Sequence, residues 1–296
     1  MQKFTIRDIE NLTGIKAHTL RVWEQRYDFF TAQRKESLHR IYDNEDLKKL
    51  LRISFLYHNG WKVSRIAGLT EQQIIDTVRT TVAENDRSLY LHHLIEAALD
   101  FDEHRFLVTL NQIIEKVGFE ECITQVCYPF LRRIGLLWTT NNVLPAQEHF
   151  SSYIIQNRII SETEKLVLQN RPAPEIVLFC PRGELHELPL LYINYLMKKA
   201  GWGTVYLGAN VELDIVEQVL SVHSIRTAYF HLITNFTGST IDEYTEILCR
   251  RFPGVTVVAS GVEAARAQRS FTNLVLLKND EAIHQFILRH QPLGNT

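Results

Sequence analysis

The chain is poor in the features that mark exported, membrane-embedded or disulfide-built proteins. Its 296 residues include only four cysteines, Cys122, Cys127, Cys180 and Cys249. They lack the paired spacing of a zinc site and do not suggest a disulfide framework in a chain of this length, so they are expected to be small buried hydrophobes. No apolar run reaches the ~18 residues that mark a membrane span, and Met1-Gln2-Lys3-Phe4-Thr5 does not open a secretory signal. A cytoplasmic protein without membrane contact is expected. There is no tandem repeat, low-complexity tract or sustained heptad pattern. No glycine-rich phosphate loop or Ser/His/Asp nucleophile arrangement stands out, which speaks against an enzyme.

What the chain does have is 45% hydrophobic and 22% charged residues, enough for a substantial core divided among two or three domains. The net charge of −2 conceals a division: residues 1–70 hold thirteen Lys and Arg against eight Asp and Glu, and the remainder nineteen against twenty-six. A basic head on an acidic body points to a nucleic-acid partner engaged by the first part.

Changes in apolar period separate three regions. Residues 1–70 carry short helical patterns broken at Thr13-Gly14 and over Gln33 to Ser37. Residues 71–168 have almost no Gly or Pro and repeat apolar residues three and four apart, as in Leu94, Ala97, Ala98, Phe101 and Phe106, Leu110, Ile113, Ile114, Val117. Breaks near Asn85-Asp86, Asp100-Asp102, Gly118 and Asn141-Asn142 make this a bundle of about five helices. A linker, Gln169 to Pro174, leads into residues 175–296, where short apolar runs alternate with helix-period stretches. The runs are 176–180, 204–207, 227–233, 255–259 and 274–277; the helical stretches lie around 188–200, 212–222, 239–251, 262–268 and 280–289. That alternation predicts a doubly wound, flavodoxin-like parallel sheet, whose ligands bind beyond the carboxyl ends of its strands. The fold class is therefore multidomain α and α/β.

In the head, Thr5 and Asp8 form a capping-box-like start to one helix, and a second runs from about Lys16 to Arg26 after a single short turn. This is helix-turn-helix geometry. Arg34 to Tyr42 reads as a short basic hairpin, a wing, before Asp43 and Asp46 cap another helix. Basic side chains on two adjacent projections can grip phosphates beside a groove while the helix reads bases. Thr19-Leu20-Arg21-Val22-Trp23-Glu24-Gln25-Arg26-Tyr27, followed by Arg40-Ile41-Tyr42 and Glu45-Asp46-Leu47, closely resembles the winged helix of MerR-family transcription regulators. The resemblance implies a homo-oligomer, a dimer or dimer of dimers, on double-stranded promoter DNA. It assigns DNA contact to His18, Arg21, Trp23 and Arg26 on the second helix, and to Lys35, His39 and Arg40 on the wing.

In the body, Gly183-Glu184-Leu185-His186-Glu187-Leu188-Pro189 follows the first strand. A loop histidine there can present a ring nitrogen to a metal, with Glu184 holding the other ring nitrogen. Trp138 precedes the pair Glu148-His149 by nine intervening residues. This spacing, and the order of winged helix, helical cap and open sheet, resembles cobalamin-binding regulators of the CarH and LitR type. The resemblance implies that His186 is the cobalt ligand below an adenosylcobalamin-type cofactor, with Glu184 behind it. Trp138, Glu148 and His149 would cover the upper face, and Ser260 and Gly261 would line the site.

Several positions depart from that family's pattern. Pro189 stands where it has Gly, His231 falls near an expected small Ser, and Ser260-Gly261 replaces Gly-Gly. Thr139 stands where light-sensing relatives have the His that captures cobalt, so that photochemical adduct is not expected. The bulk of His231 keeps a second reading open: a DNA-binding regulator whose effector domain is cobalamin-independent and serves self-association, a protein partner or another small ligand.

Overall fold

The computed structural model describes residues 4–27, 33–34, 40–80, 87–138, 145–167, 173–223, 225–234 and 240–288. Its contacts divide the chain into two compact units, Met1–Ile155 and Gln156–Thr296.

The first unit opens with β1 (Phe4–Thr5), α1 (Ile6–Thr13) and α2 (Ala17–Tyr27), then β2 (Gln33–Arg34), β3 (Arg40–Tyr42), α3 (Asn44–His58), α4 (Val63–Ile66) and α5 (Glu71–Thr80). The capping box forms as the residues require: Asp8 accepts from the Thr5 amide at 2.7 Å and Thr5 Oγ1 accepts from the Asp8 amide at 3.4 Å. Gly14 ends α1 in the left-handed region at φ +72°. Glu10 then closes the turn, accepting the Ala17 amide at 3.0 Å and pairing with Lys16 at 3.1 Å. These two contacts hold its carboxyl below the usual range. The three strands form an antiparallel sheet in the order β1-β3-β2, so the wing hairpin exists, although its residues 35–39 lie outside the described set.

The bundle follows as α6 (Arg87–Leu99), α7 (Glu103–Val117), α8 (Phe119–Cys122), a π-helical turn Ile123–Cys127, α9 (Tyr128–Trp138) and α10 (Pro145–Val167). With α8, the π turn and α9 continuous, the described residues from Glu71 to Val167 make the expected five rods, the last of which runs on into the second unit from Gln156. Phe106 and Phe130 meet edge-on in the core, with ring centroids 5.5 Å apart. One expected core residue falls elsewhere: Phe101 lies beyond the end of α6, at φ +53° and half exposed, where the chain turns into α7. Head and bundle are joined by charge. Lys48 of α3 pairs with Asp100 at 2.5 Å, Arg52 of α3 pairs with the buried Glu96 of α6 at 2.9 Å, and Arg133 of α9 donates to the Leu12 carbonyl at 3.4 Å.

The second unit is built on β4 (Ile176–Phe179), α11 (Leu188–Lys199), β5 (Thr204–Tyr206), α12 (Leu213–His223), β6 (Thr227–His231), α13 (Ile241–Arg251), β7 (Thr256–Ser260), β8 (Leu274–Leu277) and α14 (Asp280–Leu288). All strands are parallel and ordered β5-β4-β6-β7-β8, the flavodoxin-like winding. Period-two alternation splits the core: Val177, Phe179, Ala228, Phe230 and Val257 pack with α12 and α13, and Ile176, Leu178, Tyr229 and Val258 with α11 and α14. The helix expected over 262–268 is only a 3₁₀ turn, Ala264–Arg266. Asp242 Oδ1 takes the amides of Gln268 and Arg269, each at 2.9 Å, and ends it there. Strand order reverses between β4 and β6, so a ligand crevice is expected between the loops that leave those strands.

Candidate DNA interface and candidate corrinoid site

On α2 the helical period turns Leu20 and Trp23 inward and leaves His18, Arg21, Val22, Gln25 and Arg26 exposed. His18, Arg21 and Gln25 share one face, a row of donors that can meet base edges and phosphates. Trp23 is a correction to the expected DNA contacts. It is buried, its ring edge-on to Tyr57 of α3 at 4.9 Å, because its position one turn beyond Leu20 points into the head's core. Arg40 of the wing is also committed internally: its Nε donates to Glu24 Oε2 at 2.5 Å, and both side chains are largely buried. The pair ties β3 to α2. Lys35 and His39 lie outside the described residues.

At the reversal point of the sheet, Glu184 is fully buried and its carboxylate fastens two loops together. Oε1 accepts from the His186 amide at 2.9 Å and from His186 Nδ1 at 2.7 Å; Oε2 accepts from the amides of Ile233 and Thr234 at 2.8 and 2.7 Å. The Thr234 hydroxyl adds a contact at 3.2 Å to each oxygen. Burial alone would push this carboxyl up, but the bonds from the His186 ring and the three amides outweigh it and hold it at about 2. An ionised carboxylate only accepts, so Nδ1 of His186 carries the proton and Nε2 becomes the coordinating nitrogen for a metal. The imidazole is half exposed beyond the carboxyl end of β4. A half-exposed imidazole oriented in this way is one that could hold a metal.

The supporting residues Ile233, Thr234 and Asn210 were not foreseen. Asn210, at φ +58°, accepts the Gly183 amide at 2.9 Å and donates its own amide to the Glu184 carbonyl at 3.1 Å. An Asn in a loop between strand and helix was the available signal.

Below this loop, His231 is buried and its Nδ1 lies 2.8 Å from Ser260 Oγ, and that hydroxyl accepts from the Tyr229 hydroxyl at 2.7 Å. Burial, opposed by Glu184, pulls the His231 imidazole down to about 4, so it is neutral at pH 7. Ser260 is thus enclosed within the sheet's own polar network. Gly261 lies at φ +98°, and a Cβ there would fall 2.2 Å from the Leu232 carbonyl oxygen. Only glycine lets the chain pass so close. In the first unit, His149 of α10 is exposed with Nδ1 3.3 Å from Glu148 Oε2. It lines an open groove of about 530 Å³ with Glu103, Phe150 and Tyr153. Trp138 ends α9; its side chain and all of Thr139 lie outside the described residues.

Comparison with known proteins matches the head and the helical bundle. The MerR HTH family of regulatory proteins matches residues 4–73, and the B12 binding domain family matches residues 90–160. The HTH-type transcriptional repressor CarA of Myxococcus xanthus is 30% identical over 213 residues, covering 69% of this chain and 68% of CarA. The chain is a MerR-family transcriptional regulator with a cobalamin-binding-like domain. A second relative of this MerR-family regulator, the HTH-type transcriptional repressor CarH of the same organism, is 24% identical over 278 residues, covering 90% of this chain and 91% of CarH. The monomethylamine corrinoid protein of Methanosarcina barkeri shares the fold, with a TM-score of 0.52 at 13% identity over 66% of this chain and 95% of its own. Among the described residues, no helix is long and apolar enough to cross a membrane.

Proposed function

We propose that this regulator binds promoter DNA as a homo-oligomer through the exposed face of α2 and the wing, and that a corrinoid held by His186 controls that binding. The observation that carries the reading is the Glu184–His186 pair at the strand-order reversal: a buried carboxylate fixes the tautomer and direction of a half-exposed imidazole. When bound, a corrinoid would supply a cobalt centre, and His186 would hold it. Trp138, Glu148 and His149 of the helical bundle are assigned to binding of the same cofactor. His18, Arg21 and Arg26 supply the charge and donors for DNA. Two heads on one operator multiply affinity without new base contacts, so a ligand that alters association alters repression or activation. Regions 1–70, 71–168 and 175–296 act as reader, cap and sensor.

The buried His231 favours a second reading. Its imidazole and the Tyr229 ring fill the α11 side of the sheet beneath the loop, volume that a cofactor seated there would need. In that case the sheet domain serves self-association or a protein partner. Fluorescence anisotropy on the regulator's own upstream DNA, with and without adenosylcobalamin in the dark, separates the two. A change in operator affinity of tenfold or more that disappears in His186→Ala supports corrinoid control. Salt-sensitive operator binding indifferent to the cofactor supports the second reading.

A further inference from the structure

Between the head and the bundle lies a cavity of about 270 Å³, lined by Arg52 of α3, Ile75 and Val78 of α5, Leu89, His92, His93 and Glu96 of α6, and Arg105 of α7. It is separate from the groove beside His149 and from the sheet. Its lining carries two guanidiniums and one carboxylate. Glu96, 5% exposed, receives Arg52 Nε on one oxygen at 2.9 Å and Arg105 Nη2 on the other at 2.5 Å. Two guanidiniums therefore share one buried carboxylate. Outside the cavity wall, Glu71 approaches Arg52 at 3.5 Å from an exposed position. Arg105, 40% exposed, bonds no other carboxylate through its guanidinium among the described residues, although a guanidinium carries five N–H donors. A partly buried positive charge with unspent donors favours an anion that can take two of them in parallel.

We propose that this cavity binds a small organic carboxylate with a compact apolar body. The carboxylate would lie against Arg105, and the body against Ile75, Val78 and Leu89. The volume is just below the roughly 300–1,000 Å³ of sites for drug-sized ligands, which limits the occupant to a smaller molecule. Such a ligand would touch α3 of the head and α5, α6 and α7 of the bundle at once, and would reinforce the Arg52–Glu96 link between them. It would be an input independent of any corrinoid.

Isothermal titration calorimetry of the full chain with sodium benzoate tests this, with benzamide as the uncharged analogue and inorganic phosphate as an anion lacking an apolar body. The expected result is saturable one-to-one binding of benzoate, with benzamide and phosphate at least tenfold weaker. Arg105→Gln should lower benzoate affinity at least tenfold and leave benzamide unchanged. Val78→Phe, which fills the apolar wall and leaves every charge in place, should abolish benzoate binding; circular dichroism verifies the fold of both variants. Absence of saturable benzoate binding, equal binding of benzamide or phosphate, or undiminished benzoate binding in either folded variant would overturn the proposal.

Discussion

On α2, His18 and Arg21 stand exposed and make no ion pair among the described residues, and Arg26 lies only over the Tyr27 ring at 5.4 Å. In the sheet domain, Glu184 is fully buried and receives bonds from the amides of His186, Ile233 and Thr234 as well as from the His186 ring. On the proposed function, the difference follows from what each region would hold. Phosphates present a diffuse charge along a duplex, and exposed, adaptable cations meet it at little cost in desolvation. A metal accepts one nitrogen in one direction, so its ligand must be oriented before the metal arrives. Substitutions in the head should therefore divide into large effects on folding and small effects on binding, whereas those near the sheet's reversal point should act first on structure.

The largest effect is expected at Gly261→Ala. Its Cβ would meet the Leu232 carbonyl oxygen at 2.2 Å in a backbone region that disfavours side chains, and a loss of about 4 kcal/mol or more should show in urea unfolding. Retention of wild-type stability would mean that the loops over β6 and β7 can separate freely. Next comes Trp23→Ala in the head, expected to cost about 3 kcal/mol through a cavity beside Tyr57. Operator binding should return at low temperature, where the head is folded, since the indole belongs to the core and not to the interface.

The third prediction concerns pH. His231 has its imidazole pulled down to about 4 by burial, against about 6.5 when unfolded. The unfolded chain thus binds the extra proton first, and the stabilisation present above pH 6.5 is lost as pH falls toward 4. Between pH 6.5 and 4.5 the wild type should lose about 2–3 kcal/mol from this group, seen as a falling urea midpoint. His231→Gln should flatten that stretch of the curve. The smallest effect is Arg21→Ala: unchanged melting temperature, a loss of about 1 kcal/mol in operator affinity, and a salt dependence reduced by about one counterion. A large drop in melting temperature would instead place Arg21 in the packing of the head.

Much of this was legible because it rests on local pattern. Thr5 with Asp8, Asp43 with Asp46, and Thr13-Gly14 encode their own caps and turn, and the alternation of short apolar runs with amphipathic stretches encodes the parallel sheet. His186 and Glu184 could be paired because they are two residues apart. What stayed hidden depends on contacts distant in sequence. Nothing near Glu184 announces that the amides of Ile233 and Thr234, some fifty residues on, will complete its coordination. The resemblance puts Trp23 at the DNA, yet core and phosphate roles both suit an indole on a small helix, and the contact with the Tyr57 ring places it in the core. The helix expected over 262–268 failed for a similar reason, since Asp242 captures its amides from another element.

The most direct test of corrinoid control is a dark titration of the full chain with adenosylcobalamin, followed by visible absorbance after removal of free cofactor. Corrinoid control predicts retention of about one cofactor per chain, with an absorbance spectrum shifted from that of the free cofactor, and loss of both in His186→Ala. A wild-type chain that emerges colourless, or a His186→Ala chain that retains the same spectrum, would contradict it.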